Sequence, residues 1–553
     1  MESKTILIGW TEGNATPCVT EAMGRLKAGG VISFEKGIYH FRKEGSHKKD
    51  VRAINIAPGV KHVIFDMEEL CDVTIDGNGS EFIFDDIVFP FALQRCRHIT
   101  LRNFTIDFSF SRYCQGTVVQ SDEGGFELAI DHSHFKADVD EKGHVIFHSS
   151  DLSVSTEERP ILLGNVVFGK PPWDYVFAGD SLHTRENLPT SYVETDAAPT
   201  PRGICFTYRE GSRRLVFQHG EGLLFCYEPR CNVNILAAYS EDIHVENVSI
   251  YRGGGMGIVA ARTRDFFLDN VAIQVRPGRN EARSTTADGV FLVQCDGTVS
   301  IKNSLIADTL DDALNIHGIY DKVCGISSNT LLVMEGREAN QGFMFCEAGD
   351  CLECSDGETH RSKGAFKVLA AKKLGDGRIQ LQLDGDCSSL AIGDIVENQS
   401  RVATFIFEDN KVSDCPHLRI SDNGTIRIRR NLFDGINCIL VRDLLRYWFE
   451  SGAVTDMLIE GNTFLNTPQA GGGYAINIGS TRNEASDICH RNITIRGNRI
   501  VSPNGHAVAA SRVDGLVIQD NVLEGGMQET MLHISNCLNT RCEKNSFSCK
   551  PQR

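Results

Sequence analysis

The chain has 553 residues, 41% of them hydrophobic and 23% charged, and its 56 basic against 73 acidic side chains leave a formal charge of −17. That balance excludes a nucleic-acid backbone as the main partner, since a duplex binder needs a basic footprint, and no apolar run approaches the roughly 20 residues that cross a bilayer. Such a length calls for several domains or one elongated repeat. Nineteen cysteines, odd in number and irregular in spacing, read as buried thiols rather than a disulfide framework. Met1–Trp10 lacks a basic segment followed by a long apolar one, so the expected location is cytoplasmic, or secreted or periplasmic if a leader has been trimmed.

Thr16-Pro17 reads as a helix start, with Thr16 as N-cap and Val19, Ala22, Met23 and Leu26 on one face. Gly29-Gly30 stops it, and two short strands follow at Val31–Phe34 and Ile38–Phe41. A helix there would cap the open end of a β-structure.

The organising signal is a repeat of the form apolar-x-apolar-x-x-Asn-x-apolar, in which alternation marks a strand and the Asn the bend after it. It places Asn103, Asn247, Asn270, Asn303, Asn410, Asn431, Asn462, Asn498, Asn521 and Asn545, with gaps such as 270 − 247 = 23 and 545 − 521 = 24. A period this short, built only of strands and turns, fits neither a propeller blade nor a helix-bearing leucine-rich repeat. It predicts an all-β fold, a right-handed parallel β-helix whose stacked coils bring their bend Asn residues into a ladder.

Two gaps, 247 − 103 = 144 and 410 − 303 = 107, imply insertions. Strand-like runs at Phe126–Ile130, Pro160–Leu163 and Arg214–Phe217 in the first, and at Ala365–Leu369, Ile379–Leu383 and Gly393–Val396 in the second, predict two small antiparallel β-barrels. The expected division is 1–114 for the cap and first coils, 115–230 for one barrel, 231–319 for further coils, 320–401 for the other barrel and 402–553 for the last coils. A solenoid with open ends also invites self-association into a homo-oligomer.

Acid concentrates between Thr285 and Gly318. Asp288 and Asp311 are 311 − 288 = 23 residues apart, one repeat, so they are expected at equivalent positions on neighbouring coils about 5 Å apart, with Asp312 diagonal to them. Taken singly, Asp288 reads as a turn cap before Gly289 and Asp311-Asp312 as a solvated turn. Together they form a carboxylate cluster in which at least one pKa must rise, the split that glycoside hydrolysis uses. Tyr251–Gly257 lacks the helix and Lys-Ser/Thr of a phosphate loop and reads as a coil passing close beneath a substrate. Cys346, Cys351, Cys354 and His360 number enough for a zinc site but lack a standard spacing.

The order Asp288, then Asp311-Asp312, then His317-Gly318 resembles the polygalacturonase-like β-helix hydrolases. A fuller resemblance, carried by GGVISFEKGIYHF, VTIDGNGSEFIF, ITLRNFTID, RPGRNEARSTTADGV, DTLDDALNIHG and WFESG, is to glycoside hydrolase family 110, the α-1,3-galactosidases. It extends over nearly the whole chain and accommodates both inserted barrels. It implies an exo-acting, inverting hydrolase without metal or other cofactor, acting on galactose-terminated oligosaccharides or glycoconjugates such as blood-group B antigen or linear Galα1-3Gal. Asp288 is then the general acid, and Asp311 and Asp312 activate water. For the sugar, Arg276, Arg279 and His317 are the expected donors, Glu450 an acceptor and Trp448 an apolar platform. Trp173-Asp174-Tyr175 is an expected aglycone contact. The alternatives are a polygalacturonase-like polysaccharide hydrolase and a non-catalytic glycan-binding β-helix.

Overall fold

The computed structural model describes residues 5–549, except 52, 57–58, 132–135, 140, 142–144, 150–151, 156–166, 169–174, 177–194, 212–213, 215, 226–229, 231, 337–339, 444–447, 467–472, 481–487 and 503–504. Two long parallel faces carry the chain. On the first, the strands Arg97–Phe108, Glu241–Ile250, Arg264–Ile273, Asp296–Lys302, Ala403–Glu408, Thr425–Arg429, Asp456–Glu460, His490–Arg496 and Val513–Gln519 pair successively, all in parallel. On the second, Phe89–Gln94, Ile235–Ala238, Ile258–Ala261, Val290–Val293, the start of Leu314–Ser327, His417–Ser421, Cys438–Val441 and Ile476–Ile478 do the same. The chain visits the faces alternately, so each circuit is one coil of a parallel β-helix.

Strand alternation sends every second side chain inward, where equivalent positions stack. Ile99, Ile243, Phe266, Val299, Phe405, Ile426, Met457, Ile493 and Leu516 form one such column, and each is buried. At the N-terminal end other interior positions are aromatic, with Phe65 stacked on Phe91 at 4.2 Å and Phe82 on Phe104 at 5.0 Å. The helix Thr16–Arg25 buries Val19, Ala22 and Met23 against this end. Its start differs from expectation by one residue. Ala15 is the N-cap, Asn14 Oδ1 accepts from the Thr16 N–H, and the Thr16 hydroxyl donates instead to the Arg42 carbonyl.

The Asn repeat resolves into two different devices. Asn103, Asn247, Asn270 and Asn303 themselves adopt positive φ, and the Nδ2 groups of Asn247 and Asn270 donate to the preceding Asn on an exposed edge. Asn303 departs by donating to Asp269. From Asn410 onward the left-handed residue is the one before, namely Asp409, Arg430, Gly461, Gly497 and Asp520, and the Asn turns inward. There Asn462 Oδ1 accepts from both the N–H and the Nδ2 of Asn431 at 2.9 Å, and the pattern continues through Asn498 and Asn521 to Asn545. Strand pairing of Leu305 with Lys411 accordingly aligns Asn303 with Asp409, not Asn410.

The second insertion is a closed antiparallel barrel of six strands, in ring order Leu314–Ser327, Thr330–Glu335, Ile379–Leu383, Ser362–Lys373, Cys351–Ser355 and Ile395–Asn398. Its first strand begins in the solenoid sheet at Leu314–His317 and runs on into the barrel without a linker. The first insertion forms an antiparallel sheet of seven strands that includes Gly125–Ile130, with no closing pair among the described residues. Pro160–Leu163 lies outside the described residues. Arg214, Val216 and Phe217 are not in a strand: Phe217 is buried and Val216 is exposed, and Leu215 lies outside the described residues. The seventeen described cysteines are all free thiols. Cys346 and Cys354 point into the barrel core and Cys351 to the opposite face of its strand, while His360 approaches Asp443 at 3.8 Å, so these four do not converge on one ion. Among the described residues no helix is long and apolar enough to cross a membrane.

Replacing Asn462 by Ala would strand the buried Asn431 N–H and the Ile428 carbonyl. The expected cost is on the order of 3 kcal/mol, against less than about 1 kcal/mol for Asn247→Ala on the exposed ladder. Calorimetric unfolding of both variants checks this, and equal losses would contradict the two-ladder description.

Candidate active site

Backbone register decides which acids meet. The strand Val290–Val293 pairs with Leu314–His317, and Thr285 bridges Thr309, an offset of 309 − 285 = 24. The Gly289 N–H donates to the Asp312 carbonyl at 2.9 Å. Asp288 therefore stacks on Asp312, and Asp311 is the diagonal member, the reverse of the arrangement expected from a 23-residue period. The two turns repeat each other: the Thr285 and Thr309 hydroxyls each donate at 2.7 Å to the carbonyl two residues on, which belongs to Ala287 in one coil and Asp311 in the next. Gly289 has no room for a side chain, because a Cβ there would lie 2.7 Å from the Ala313 carbonyl oxygen. The Gly-rich turn Tyr251–Gly257 runs along the neighbouring coil, with the Gly257 N–H donating to the Asp288 carbonyl at 3.0 Å.

Oxygens of Asp288, Asp311 and Asp312 all lie within 4.8 Å of one another. Asp288 and Asp312 are buried at 2% and 5% exposure, and Asp311 is partly open. Burial, reinforced by Asp311, holds the Asp288 carboxyl well above the usual carboxylate range, with Arg230 opposing. Its Oδ2 is buried with no hydrogen-bond partner in the structure. Burial also raises Asp312, opposed by the hydrogen bond from His417 Nδ1 at 2.8 Å. Asp311 Oδ2 is held by Arg230 at 2.5 Å, and Asp311 Oδ1 by the Asp312 N–H at 3.0 Å. Three such oxygens form a hard donor set that would suit a divalent cation, but Arg230 and His417 already supply positive or donating groups to two of them.

Beside the acids, outward-facing residues of the solenoid sheet form a polar patch. Glu450 accepts from Asn315 Nδ2 at 3.0 Å and from Arg419 Nε at 3.3 Å, and His317 Nε2 lies 3.8 Å from it. His317 Nδ1 is 2.6 Å from the Gly318 carbonyl, which assigns the proton to Nδ1 in the neutral ring. Glu450 arrives on a short strand pairing with Gly318-Ile319, and Gly318 permits that approach because a Cβ would meet Ser451 Oγ at 2.3 Å. Trp448 stands at 5.7 Å from the Arg230 guanidinium, which overlies its ring.

The structure thus brings His317, Glu450 and Trp448 to the neighbourhood of the three acids. Arg276 and Arg279 are engaged elsewhere. Both bind the fully buried Asp107, at 3.0 Å and 2.7 Å, and Arg276 also binds Glu81 and overlies Tyr251, so they anchor their own loop. Trp173 and Asp174 lie outside the described residues. Residues that the sequence reading missed are Arg230, Asn315, His417 and Arg419. Asn315 was within reach, because alternation in Leu314-Asn315-Ile316-His317 puts it on the same face as His317. A separate cavity of about 330 Å³, lined by Asn78, Ser80, Asn103, Thr105, Asn247 and Ser249, contains no titratable group and so offers no acid–base chemistry.

The fold and site together define a parallel β-helix with a largely buried three-carboxylate cluster on one face. No family model matches the chain. It is similar to curated α-1,3-galactosidases: to form B from Bacteroides thetaiotaomicron, at 26% identity over 82% of this chain and 73% of that protein, and to form A from Shewanella woodyi, at 25% over 92% and 83%. Among solved structures, a polygalacturonase from Erwinia carotovora aligns over 98% of this chain and 96% of its own at 10% identity and a TM-score of 0.36.

A carboxyl raised by folding stabilises the native state below its unfolded value, near 3.9, and loses that contribution as pH rises through the folded value. Asp288→Asn cannot ionise. It should therefore raise the melting temperature at pH 8 and leave it nearly unchanged at pH 4, with at most about 1.4 kcal/mol gained per pH unit between. A calorimetric pH series in which the variant is no more stable at pH 8 would contradict the assignment.

Proposed function

We propose that the chain is an exo-acting glycoside hydrolase that releases terminal α-1,3-linked galactose with inversion. The observation that carries the reading is the stack of Asp288 on Asp312 with Asp311 beside it, in which burial raises the Asp288 carboxyl well above the usual range, a hydrogen bond from His417 opposes the smaller rise in Asp312, and Arg230 pairs with Asp311. In this mechanism Asp288 donates its proton to the glycosidic oxygen as the bond to C1 breaks. Water attacks C1 from the opposite side, and Asp311 or Asp312 takes its proton.

Spacing alone pulls the other way, since inverting pairs are commonly about 6.5–9.5 Å apart and retaining ones about 5–5.5 Å. Inversion is preferred because both candidate nucleophiles are engaged. Asp311 is held by Arg230 and a backbone N–H, and Asp312 by His417. Donors of this kind occupy lone pairs that a carboxylate would need to attack C1, while a remaining oxygen can still accept a proton from water.

Charge favours a neutral sugar over a uronate. With Asp288 protonated, Asp311, Asp312 and Glu450 still outnumber the two guanidinium groups of Arg230 and Arg419. Among the described residues, both of these guanidinium groups are already paired with carboxylates. Asn315 Oδ1 and Asp288 Oδ2 are buried without partners, which leaves polar groups for sugar hydroxyls and the glycosidic oxygen. The names of the similar curated proteins supply the linkage.

The wild type should release galactose from Galα1-3Gal, with the β-anomer appearing first by NMR, and Asp288→Asn and Asp312→Asn should each lose on the order of 10²–10⁴ in kcat/KM. Inactivity of the wild type on linear and fucosylated Galα1-3Gal would overturn the reading; α-galactose as first product would overturn inversion only. Activity should persist in EDTA, as measured by initial rates. Because Arg230 opposes the rise in Asp288, Arg230→Met should move the alkaline limb of the pH–rate profile to higher pH while lowering the maximum rate.

A further inference from the structure

A second group of metal-ligating side chains lies at the N-terminal end of the solenoid, outside the carboxylate cluster. Cys71 Sγ, a carboxylate oxygen of Asp72 and an imidazole nitrogen of His98 all lie within 4.8 Å of one another. The strands that begin at Cys71 and Arg97 are parallel neighbours, with Cys71 opposite Arg97 and Val73 opposite Ile99. Asp72 and His98 thus hold the same turn position on successive coils. Cys71 Sγ is 3.1 Å from Asp72 Oδ2, and His98 Nδ1 is 2.8 Å from Asp72 Oδ1. Both carboxylate oxygens are in this way turned towards the other two donors.

We propose that Cys71, Asp72 and His98 form a surface site for one zinc-class divalent ion, which joins two successive coils of the solenoid. The donor set selects the class of ion. A thiolate disfavours magnesium and calcium, imidazole suits zinc, nickel and copper, and one thiolate with one carboxylate neutralises a divalent charge. Tetrahedral zinc with bonds of about 2.0–2.3 Å needs its ligands roughly 3.5 Å apart, and one donor atom from each of the three residues already lies within 4.8 Å of the others. Exposure of Asp72 and His98 gives the ion a path in and leaves a position for water.

Binding balances without redox chemistry. The Cys71 thiol gives up its proton to solvent, and the neutral His98 ring shifts its proton from Nδ1 to Nε2 so that Nδ1 can ligate. One proton leaves per ion.

The test uses the full chain, reduced and stripped with chelator, titrated with Zn²⁺ by calorimetry and with Co²⁺ by absorption. One equivalent should bind with a thiolate-to-cobalt charge-transfer band in the near ultraviolet. In Cys71→Ser and in His98→Ala that affinity should fall at least about tenfold and the band should vanish, while Cys18→Ser, at another exposed thiol, should match the wild type. Wild-type protein that binds no ion, or variants that bind as it does, would overturn the proposal. Should either variant fail to fold, alkylation of Cys71 in the wild type, followed by peptide mapping, decides: Zn²⁺ slows it at least about tenfold if the site exists, and an unchanged rate refutes it.

Discussion

The 24-residue register between the coil Thr285–Val293 and the coil Thr309–His317 is the constraint on which the rest depends. Side chains in a strand alternate faces, so a slip of one residue would exchange the neighbours of every acid. At this register Asp288 faces Asp312, and the next coil places His417 beside Asp312. Backbone hydrogen bonds between coils thereby fix the spacing of three carboxylates to within 4.8 Å, which flexible loops would not hold.

That spacing costs stability. Asp288 and Asp312 are taken out of water beside another carboxylate, and one Asp288 oxygen lacks a partner. The surrounding cations offset part of this. Arg230 neutralises Asp311 from the end of the first insertion, and Arg419 bridges Asp312 and Glu450 from the coil after the second. The insertions therefore do more than decorate the solenoid. One delivers a guanidinium group to the acids, and the strand that opens the other aligns His317 with Glu450.

Much of this was legible in the sequence, because a solenoid repeats its local rules. The Asn spacing disclosed the coil and its two interruptions, and the acids stood out by falling one coil apart. The exact register did not follow from the Asn residues, since their role changes from left-handed bend to buried ladder between Asn303 and Asn410. The better signal was Thr285 and Thr309, whose hydroxyls make the same local hydrogen bond. His417 and Arg419 stayed hidden because a whole barrel separates them from the acids in sequence, 417 − 312 = 105 residues. Arg276 and Arg279 misled because charge in a loop says nothing of its partner, here the buried Asp107.

The central claim is that Asp288 is a neutral acid at the pH where its neighbours are ionised. Infrared difference spectroscopy between the wild type and Asp288→Asn at pH 7 reads this directly, because other raised carboxyls such as Asp422, pushed up to about 7, cancel in the subtraction. The account predicts a protonated-carboxyl band present only in the wild type, disappearing as pH rises. An ionised-carboxylate band in its place would contradict it.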